Sequence, residues 1–358
     1  MTTPRRTQTM SKIYANPFSW GEPVKGNHYV QRPDDQAVIL SSIENQIYLL
    51  LSGPRGIGKT SLLTFTLDKS GTPFIHLDLR FIVKRVELLD LLLRALETSF
   101  PSIKMDKGFK ALIDDSANAN LTKIFDLWYE SVKGSSKKFV IAWDEFQHLA
   151  KFKEDIVREL KVCLSGRRGI THMFVTHRKD ILVDEFGTNK QAFFKNQEYF
   201  ELGNLEQKAC TSYLSKRFRR MGLSDFDLPE AVYKITAGQP LFTQRLSYTI
   251  SQIWLEGTTT RLLQRSHTKL LKERNILFTA LWDNFGLNEK RLLLGLASGY
   301  SRPTELEFIA KFELSATSTA HNTVLKLVKE GWLVNRDEGY HIYDPLFLSW
   351  LQNREGLI

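Results

Sequence analysis

The chain has 358 residues, 42% hydrophobic and 25% charged, with a formal net charge of +9, the balance of a globular protein long enough for two or three packed domains. Two cysteines, Cys163 and Cys210, are too few for a disulfide framework or a cysteine metal cluster and read as buried packing, so a cytoplasmic location is expected. No apolar run reaches the length of a bilayer span and the N-terminus lacks an apolar signal core, so neither a membrane segment nor a secretory leader is expected.

Residues 1–12 read as a flexible basic arm, with Arg5, Arg6 and Lys12 and no acid. From 13 to 202 strand-like and helix-like segments alternate, which predicts an α/β core around a parallel sheet. Strands are expected at 47–51, 74–79, 138–143, 172–176 and 198–202, helices at 87–100 and 121–132, and an irregular connection at 101–120. Between the first strand and a helical stretch at 61–67 stands Gly53-Pro54-Arg55-Gly56-Ile57-Gly58-Lys59-Thr60, which fits the phosphate-loop pattern G-x-x-x-x-G-K-S/T in the required strand-loop-helix context. The loop N–H groups and the helix N-terminus converge on one point and favour an anion there. Gly53 through Ser61 are therefore the expected nucleotide contacts, with Lys59 reaching the β- and γ-phosphates and the Thr60 hydroxyl ligating Mg²⁺. The chain is expected to bind a nucleoside triphosphate.

Hydrolysis needs carboxylates from a second strand, and Phe139-Val140-Ile141-Ala142-Trp143-Asp144-Glu145 is an apolar strand ending in two acids. Asp144 would hold Mg²⁺ through water, and Glu145 would polarise the attacking water as general base. Alone, such a strand end is more often a solvated turn; in one α/β unit with Lys59 it becomes the second half of an ATP site. The next strand ends in Thr176-His177-Arg178, where Arg178 is either a bidentate sensor of the γ-phosphate or a surface arginine. His148, His172 and His177 lack metal-ligand spacing and read as polar fillers.

Beyond 203 the period is purely helical. Residues 203–275 predict a helical lid. Its first helix carries Ala209, Tyr213, Phe218 and Met221 on one face and Lys216, Arg217, Arg219 and Arg220 mostly around the other, and further helices follow at 229–236, 240–256 and 261–285. Residues 276–358 predict helices at 288–297, 303–311 and 317–330, then a hairpin of 331–334 and 340–343, which is the pattern of a winged helix. Ala320, Val324, Leu327 and Val328 form the expected buried stripe of the third helix, and Gly331 is placed to end it. The positive charge lies in the lid: 12 Lys/Arg against 6 Asp/Glu give +6 over 203–275, whereas 8 against 10 give −2 over 276–358.

These residues resemble the STAND branch of AAA+-like P-loop ATPases, and within it the prokaryotic "archaeal ATPase" family, over nearly the whole chain. Asn16-Pro17-Phe18 through Tyr29-Val30-Gln31-Arg32-Pro33-Asp34-Asp35 looks like that family's lead-in, and Thr236-Ala237-Gly238-Gln239-Pro240-Leu241-Phe242-Thr243-Gln244 resembles its G-x-P lid motif. The resemblance implies that Val30 and Arg32 lie on the adenine side and that Pro240 contacts the base. Tyr343-Asp344-Pro345-Leu346-Phe347 with Trp350-Leu351 is similar to the close of its winged helix. Gln31 stands where the family usually has Gly, Thr176-His177 replaces a commoner Gly-Ser, and no appended nuclease or repeat domain is expected. A nucleotide-driven switch is implied, in which lid and winged helix rearrange on hydrolysis.

What the switch controls stays open between two classes. One is an ATPase acting on DNA through the basic lid and the N-terminal arm. The other is a signalling scaffold that binds ATP with little turnover, as a homo-oligomer or with a protein partner. The winged helix reads either as a DNA reader or as a packing module. A small-molecule kinase is disfavoured because that fold normally lacks both lid and winged helix. Arg167 and Arg168, in a turn before the sensor strand, are candidates for a contact in trans.

Overall fold

The apolar runs ending near Leu51, Asp144 and Val175 show no polar alternation, as strands covered on both faces require. In the computed structural model, which describes residues 15–101, 121–133, 138–152, 156–187, 193–336 and 339–356, they form the centre of a parallel sheet. The strands β1 (Tyr48–Ser52), β2 (Phe74–Asp78), β3 (Phe139–Asp144), β4 (Ile170–Val175) and β5 (Gln197–Glu201) lie in the order β2-β3-β4-β1-β5. Every pairing is parallel. All residues of β1, β3 and β4 are buried, while the edge strands β2 and β5 are mostly half-buried or exposed. Each predicted strand is found, with ends shifted by one or two residues. The predicted basic arm at 1–12, and the connection at 101–120 apart from Pro101, lie outside the described residues.

The described chain divides into two compact units, Gln31–Gly203 and the residues from Asn204 onward together with those before Gln31. In the first, α1 (Pro33–Asn45) precedes β1, α2 (Lys59–Ser70) follows it, α3 (Arg85–Ser99) follows β2, α4 (Leu121–Val132) precedes β3, and α5 (Ile156–Leu164) and α6 (Lys179–Phe186) flank β4. Helix α4 buries Leu121, Ile124, Phe125, Trp128 and Val132, a single stripe at helical spacing, and burial of each such side chain contributes roughly 1.5–3 kcal/mol. Helices α1, α5 and α6 were not expected; α5 and α6 span only 9 and 8 residues, too short for a clear period. Because the strands are parallel and β4 lies between β1 and β3, the loop after β1, the acids at the end of β3 and the residues after β4 share one carboxyl edge of the sheet, where open α/β sheets bind ligands.

The second unit contains α7 (Gln207–Arg220), α8 (Leu228–Thr236), α9 (Pro240–Leu255), α10 (Leu262–Asn284), α11 (Leu287–Ala297), α12 (Leu306–Lys311), α13 (Thr317–Lys329), the hairpin β6 (Leu333–Arg336) and β7 (Gly339–Ile342), and α14 (Pro345–Arg354). One apolar cluster runs through these elements. The expected border between lid and winged helix at 275/276 falls inside α10, whose Phe278 and Trp282 pack on Trp350 at centroid distances of 5.9 and 6.3 Å. Two expectations are corrected. Val328 is 38% exposed, and Thr323 joins Ala320, Val324 and Leu327 in the buried stripe of α13, because Val328 lies at the edge of the arc those four define. Arg217, grouped with the outward cations, is buried: it donates to Pro17 O at 2.7 Å and stacks on Tyr213 at 4.4 Å. Gly331 ends α13 as expected, with Gly331 N and Trp332 N bonded to Val328 O and Leu327 O. The lead-in up to Val30, expected with the core, groups with this unit through Phe18, whose ring lies 5.0 Å from that of Phe218, and through Asn16 Nδ2, which donates to Tyr248 O at 2.9 Å.

Candidate functional site

The loop between β1 and α2 needs backbone geometry that L-residues rarely adopt. Gly53, Gly56 and Gly58 have φ of +148°, +75° and +90°, and a Cβ on Gly53 would lie 2.8 Å from the backbone oxygen of Leu202. Glycine is the residue that fits there. Helix α2 begins at Lys59, with Leu62 N bonded to Gly58 O at 2.8 Å, so its N-terminal dipole opens onto the loop. Lys59 is buried and folded over the loop, its Nζ donating to Gly53 O at 2.7 Å and Pro54 O at 3.0 Å. Burial pushes its ammonium down to about 8, against the Glu145 and Asp144 carboxylates, which favour the charged form.

Thr60 and Asp144 meet directly: Thr60 Oγ1 donates to Asp144 Oδ2 at 2.6 Å. This contact joins the two sequence motifs across the strand that separates them. Two hard oxygen donors beside a helix N-terminus fit the donor set that Mg²⁺ takes, since that ion usually uses one or two protein oxygens plus phosphates and water. His76, on β2, approaches the same Asp144 Oδ2 with Nε2 at 2.9 Å. It was not expected, because only the pairing of His76 with Ala142 and of Asp78 with Asp144 puts it on the Asp144 face.

Glu145 sits in the left-handed region at φ +57°, a conformation that costs a non-glycine residue roughly 1–3 kcal/mol and clusters at functional sites. Its Oε2 accepts from Gln147 Nε2 and lies 3.4 Å from His177 Nδ1. These partners hold its carboxyl group down at about 2, His177 foremost. At the end of β4, Thr176 is buried and its hydroxyl donates to Gln147 Oε1 at 2.5 Å. The polar-filler reading of His177 is therefore corrected: it stands between Glu145 and the phosphate-loop Arg55, whose guanidinium NH2 lies 3.2 Å from His177 Nε2. His172 does fill the core, accepting from Trp143 Nε1 at 3.0 Å with Tyr129 Oη 3.2 Å from Nε2, and burial pushes it down to about 3.

Arg178 lies at the strand end where it was expected, but its guanidinium forks onto Asp180, Nε to Oδ1 at 2.8 Å and NH2 to Oδ2 at 2.5 Å. Arg32 is buried and braces the loop from behind, donating to Ile57 O at 3.4 Å and to Gly203 O, with Nε 3.2 Å from Asp35 Oδ2. Within the second unit Val30 is buried in the apolar cluster and Pro240 is the first residue of α9. The lid motif around Pro240 has local reasons. Gly238, at φ +68°, has no room for a Cβ, which would fall 2.6 Å from Tyr233 Cε2. The Gln239 side chain caps α9 by accepting from Phe242 N at 2.8 Å and donates to Tyr343 Oη at 2.9 Å. Arg167 pairs with Asp126 at 2.7 Å, and Arg168 is exposed. Both cysteines are free and buried, and burial pushes the Cys210 thiol up to about 12.

Residues 276–353 match a family model described as "Probable winged helix domain". No curated protein sequence matched. Among solved structures, a Walker-type ATPase of Pyrococcus abyssi aligns at TM-score 0.70 and 17% identity, over 96% of this chain and 100% of its own. The ORC2 protein of Aeropyrum pernix, in ADPNP-ADP complexes, aligns at TM-score 0.55 and 14% identity over 98% and 99%. A STAND protein with a tetratricopeptide repeat sensor from Pyrococcus horikoshii aligns at TM-score 0.41 and 18% identity, over 96% of this chain and 44% of its own, and nothing is rested on that weaker likeness. Identities this low speak to fold alone. The chain therefore has the fold of the P-loop ATPases: a five-stranded parallel core, a helical region and a C-terminal winged helix domain.

Proposed function

We propose that the chain binds and hydrolyses ATP and uses the nucleotide state as a conformational switch. The observation that carries this reading is the 2.6 Å contact between Thr60 Oγ1 and Asp144 Oδ2, with Glu145 the next residue along. The loop N–H groups of 53–61 and the start of α2 would hold the phosphates, and Lys59 would turn from the Gly53 and Pro54 carbonyls onto them. Thr60 and Asp144 would hold Mg²⁺, which when bound neutralises charge on the phosphates. Glu145, ionised throughout the neutral range with its carboxyl group near 2, would orient the attacking water by accepting its hydrogen bond; so weak a base suits orientation better than full proton removal. Arg178 would sense the γ-phosphate by exchanging Asp180 for it. Roles for Val30, Arg32 and Pro240 on the adenine side rest on the family resemblance. The ADPNP and ADP in the Aeropyrum protein support the same ligand class here.

The test is phosphate release from ATP. Lys59→Ala should abolish it, and Glu145→Gln should lower turnover roughly 10²-fold or more, through loss of the group that orients the attacking water, while nucleotide stays bound. Turnover surviving Lys59→Ala would sink the reading. Nucleotide bound tightly without any turnover in the wild type would favour the scaffold instead.

For the partner, the arrangement of cations favours DNA at the helical region over DNA at the winged helix. Lys208, Lys216, Arg219 and Arg220 of α7, Arg261 just before α10, and Arg265 and Lys272 of α10 are exposed. On α13, by contrast, Lys326 is tied to Glu289 and lies 3.9 Å from Glu330. If the α10 face neutralises phosphates, Arg265→Glu with Lys272→Glu should reduce the slope of log affinity against log salt by about 2, near 0.9 per phosphate contact. An unchanged slope removes that face.

A further inference from the structure

Resting on the ATPase reading, we propose that His177 is a positioning residue for Glu145, and that it couples the carboxylate to the phosphate loop through Arg55. The hydrogen-bond inventory fixes the direction of each link. Arginine only donates, so His177 Nε2, 3.2 Å from Arg55 NH2, must accept. A ring whose Nε2 accepts is neutral and carries its proton on Nδ1. That Nδ1 is buried and makes no hydrogen bond elsewhere, and Glu145 Oε2 lies 3.4 Å from it, within ion-pair reach. The second donor to Glu145 is fixed in the same way. The Thr176 hydroxyl accepts from Arg178 N at 3.0 Å and donates to Gln147 Oε1 at 2.5 Å, so the Gln147 amide presents its NH₂ to Glu145 Oε2. Both donors address Oε2, which sets the orientation of the carboxylate and leaves Oε1 to accept from the attacking water.

The four contributors come from three places: Arg55 from the loop after β1, Glu145 and Gln147 from the start of the short 3-10 helix after β3, and His177 from just past the end of β4. Arg55 is the exposed member of the set. An arginine there that moves onto a bound phosphate releases His177 Nε2, so occupancy of the loop is felt by the ring that holds Glu145. The polar partners of His177 are Arg55 and Glu145, through which it acts.

The experiment is steady-state ATP hydrolysis by the full chain carrying His177→Ala, His177→Asn or His177→Gln, each also combined with Arg55→Ala. Loss of the ring should lower kcat roughly 10- to 100-fold, in the range of supporting-residue losses at catalytic sites, with KM for ATP changed by less than about twofold. Asparagine places an N–H near the Nδ1 position and should restore most of kcat. Glutamine places its amide near Nε2 and should not. In the His177→Ala background Arg55→Ala should cost less kcat than in the wild type, because the pair acts as one unit. Unchanged kcat in His177→Ala, equal rates for the Asn and Gln variants, or additive effects with Arg55→Ala would each overturn the proposal. Ring ¹⁵N spectra of histidine-labelled wild type test the contact without turnover: the Nδ1–H tautomer of His177 supports it, and the Nε2–H tautomer overturns it. Failure of the ATPase reading appears separately, as a wild type with no Lys59-dependent hydrolysis.

Discussion

Gly53→Ala is the substitution whose cost can be worked most directly from the structure. Gly53 opens the phosphate loop at φ +148°, a region essentially closed to other residues, at roughly 1–3 kcal/mol. The added Cβ would lie 2.8 Å from Leu202 O and 3.3 Å from Ile57 Cγ2. Leu202 O is backbone, on a residue held by its own N–H to Ser52 O at 2.9 Å, so it cannot swing aside as a side chain would. Overpacking of this kind adds roughly 1–3 kcal/mol, for a total on the order of 2–6 kcal/mol. In a unit of this size each kcal/mol lowers the melting temperature by about 2–4 °C, so the unit should melt roughly 4–24 °C lower. If the loop shifts to relieve the clash, Gly53 O moves away from Lys59 Nζ and the loop N–H groups leave their common focus. Nucleotide affinity then falls about tenfold for every 1.4 kcal/mol lost. Thermal melts and titration with a fluorescent ATP analogue, on one preparation, read both effects. A variant that melts within about 1 °C of wild type and binds within about twofold would refute the argument.

Acid stability should follow His172 and Glu145. His172, pushed down to about 3 from an ordinary 6.5, contributes stability in full above about pH 6.5 and loses it as the pH falls toward 3, with a slope of at most about 1.4 kcal/mol per pH unit. His172→Phe should cost stability at pH 7, because Trp143 Nε1 and Tyr129 Oη lose their partner, yet give a flatter profile between pH 7 and 4 in urea unfolding; a parallel profile would count against a neutral buried ring. Glu145, lowered from 4.5 to about 2, has the same sign over a lower window, full above about pH 4.5 and lost toward 2, and Glu145→Gln should remove that part. Gly238→Ala, at φ +68° with its Cβ 2.7 Å from Leu205 O, should destabilise the helical unit by roughly 2–4 kcal/mol. An unshifted melting transition would show that the turn relaxes.

Much of this architecture could be read along the chain because its signals are local. The glycine pattern at 53–60, the apolar run ending in Asp144-Glu145 and the alternation of strands and helices depend only on neighbouring residues, and each appears where it was expected. The helix stop at Gly331 is local in the same way. Helix α14 carried a signal that was passed over: Asp344 before Pro345, whose carboxylate accepts from Leu346 N and Phe347 N at 2.9 and 3.1 Å, is an N-cap followed by proline at the first helical position. Arg178 also stands where it was expected, and the acid it forks onto, Asp180, is only two residues away, in the first turn of α6.

Strand order lies outside that local information. Pairing in a parallel sheet joins segments separated by whole crossovers, and no periodicity in one strand names its neighbour. Only the order β2-β3-β4-β1-β5 sets His76 beside Asp144 and brings Thr176 and His177 between the phosphate loop and Glu145. The same holds for the end of α10, a helix already expected at 261–285: only the tertiary structure packs its Phe278 and Trp282 with Phe347 and Trp350 from the last helix. By itself the sequence determined the phosphate loop, the pair of acids and the kinds of elements around them. The tertiary structure decided which side chains hold Glu145, since hydrogen bonds across strands exist only after distant segments have been brought within about 3 Å.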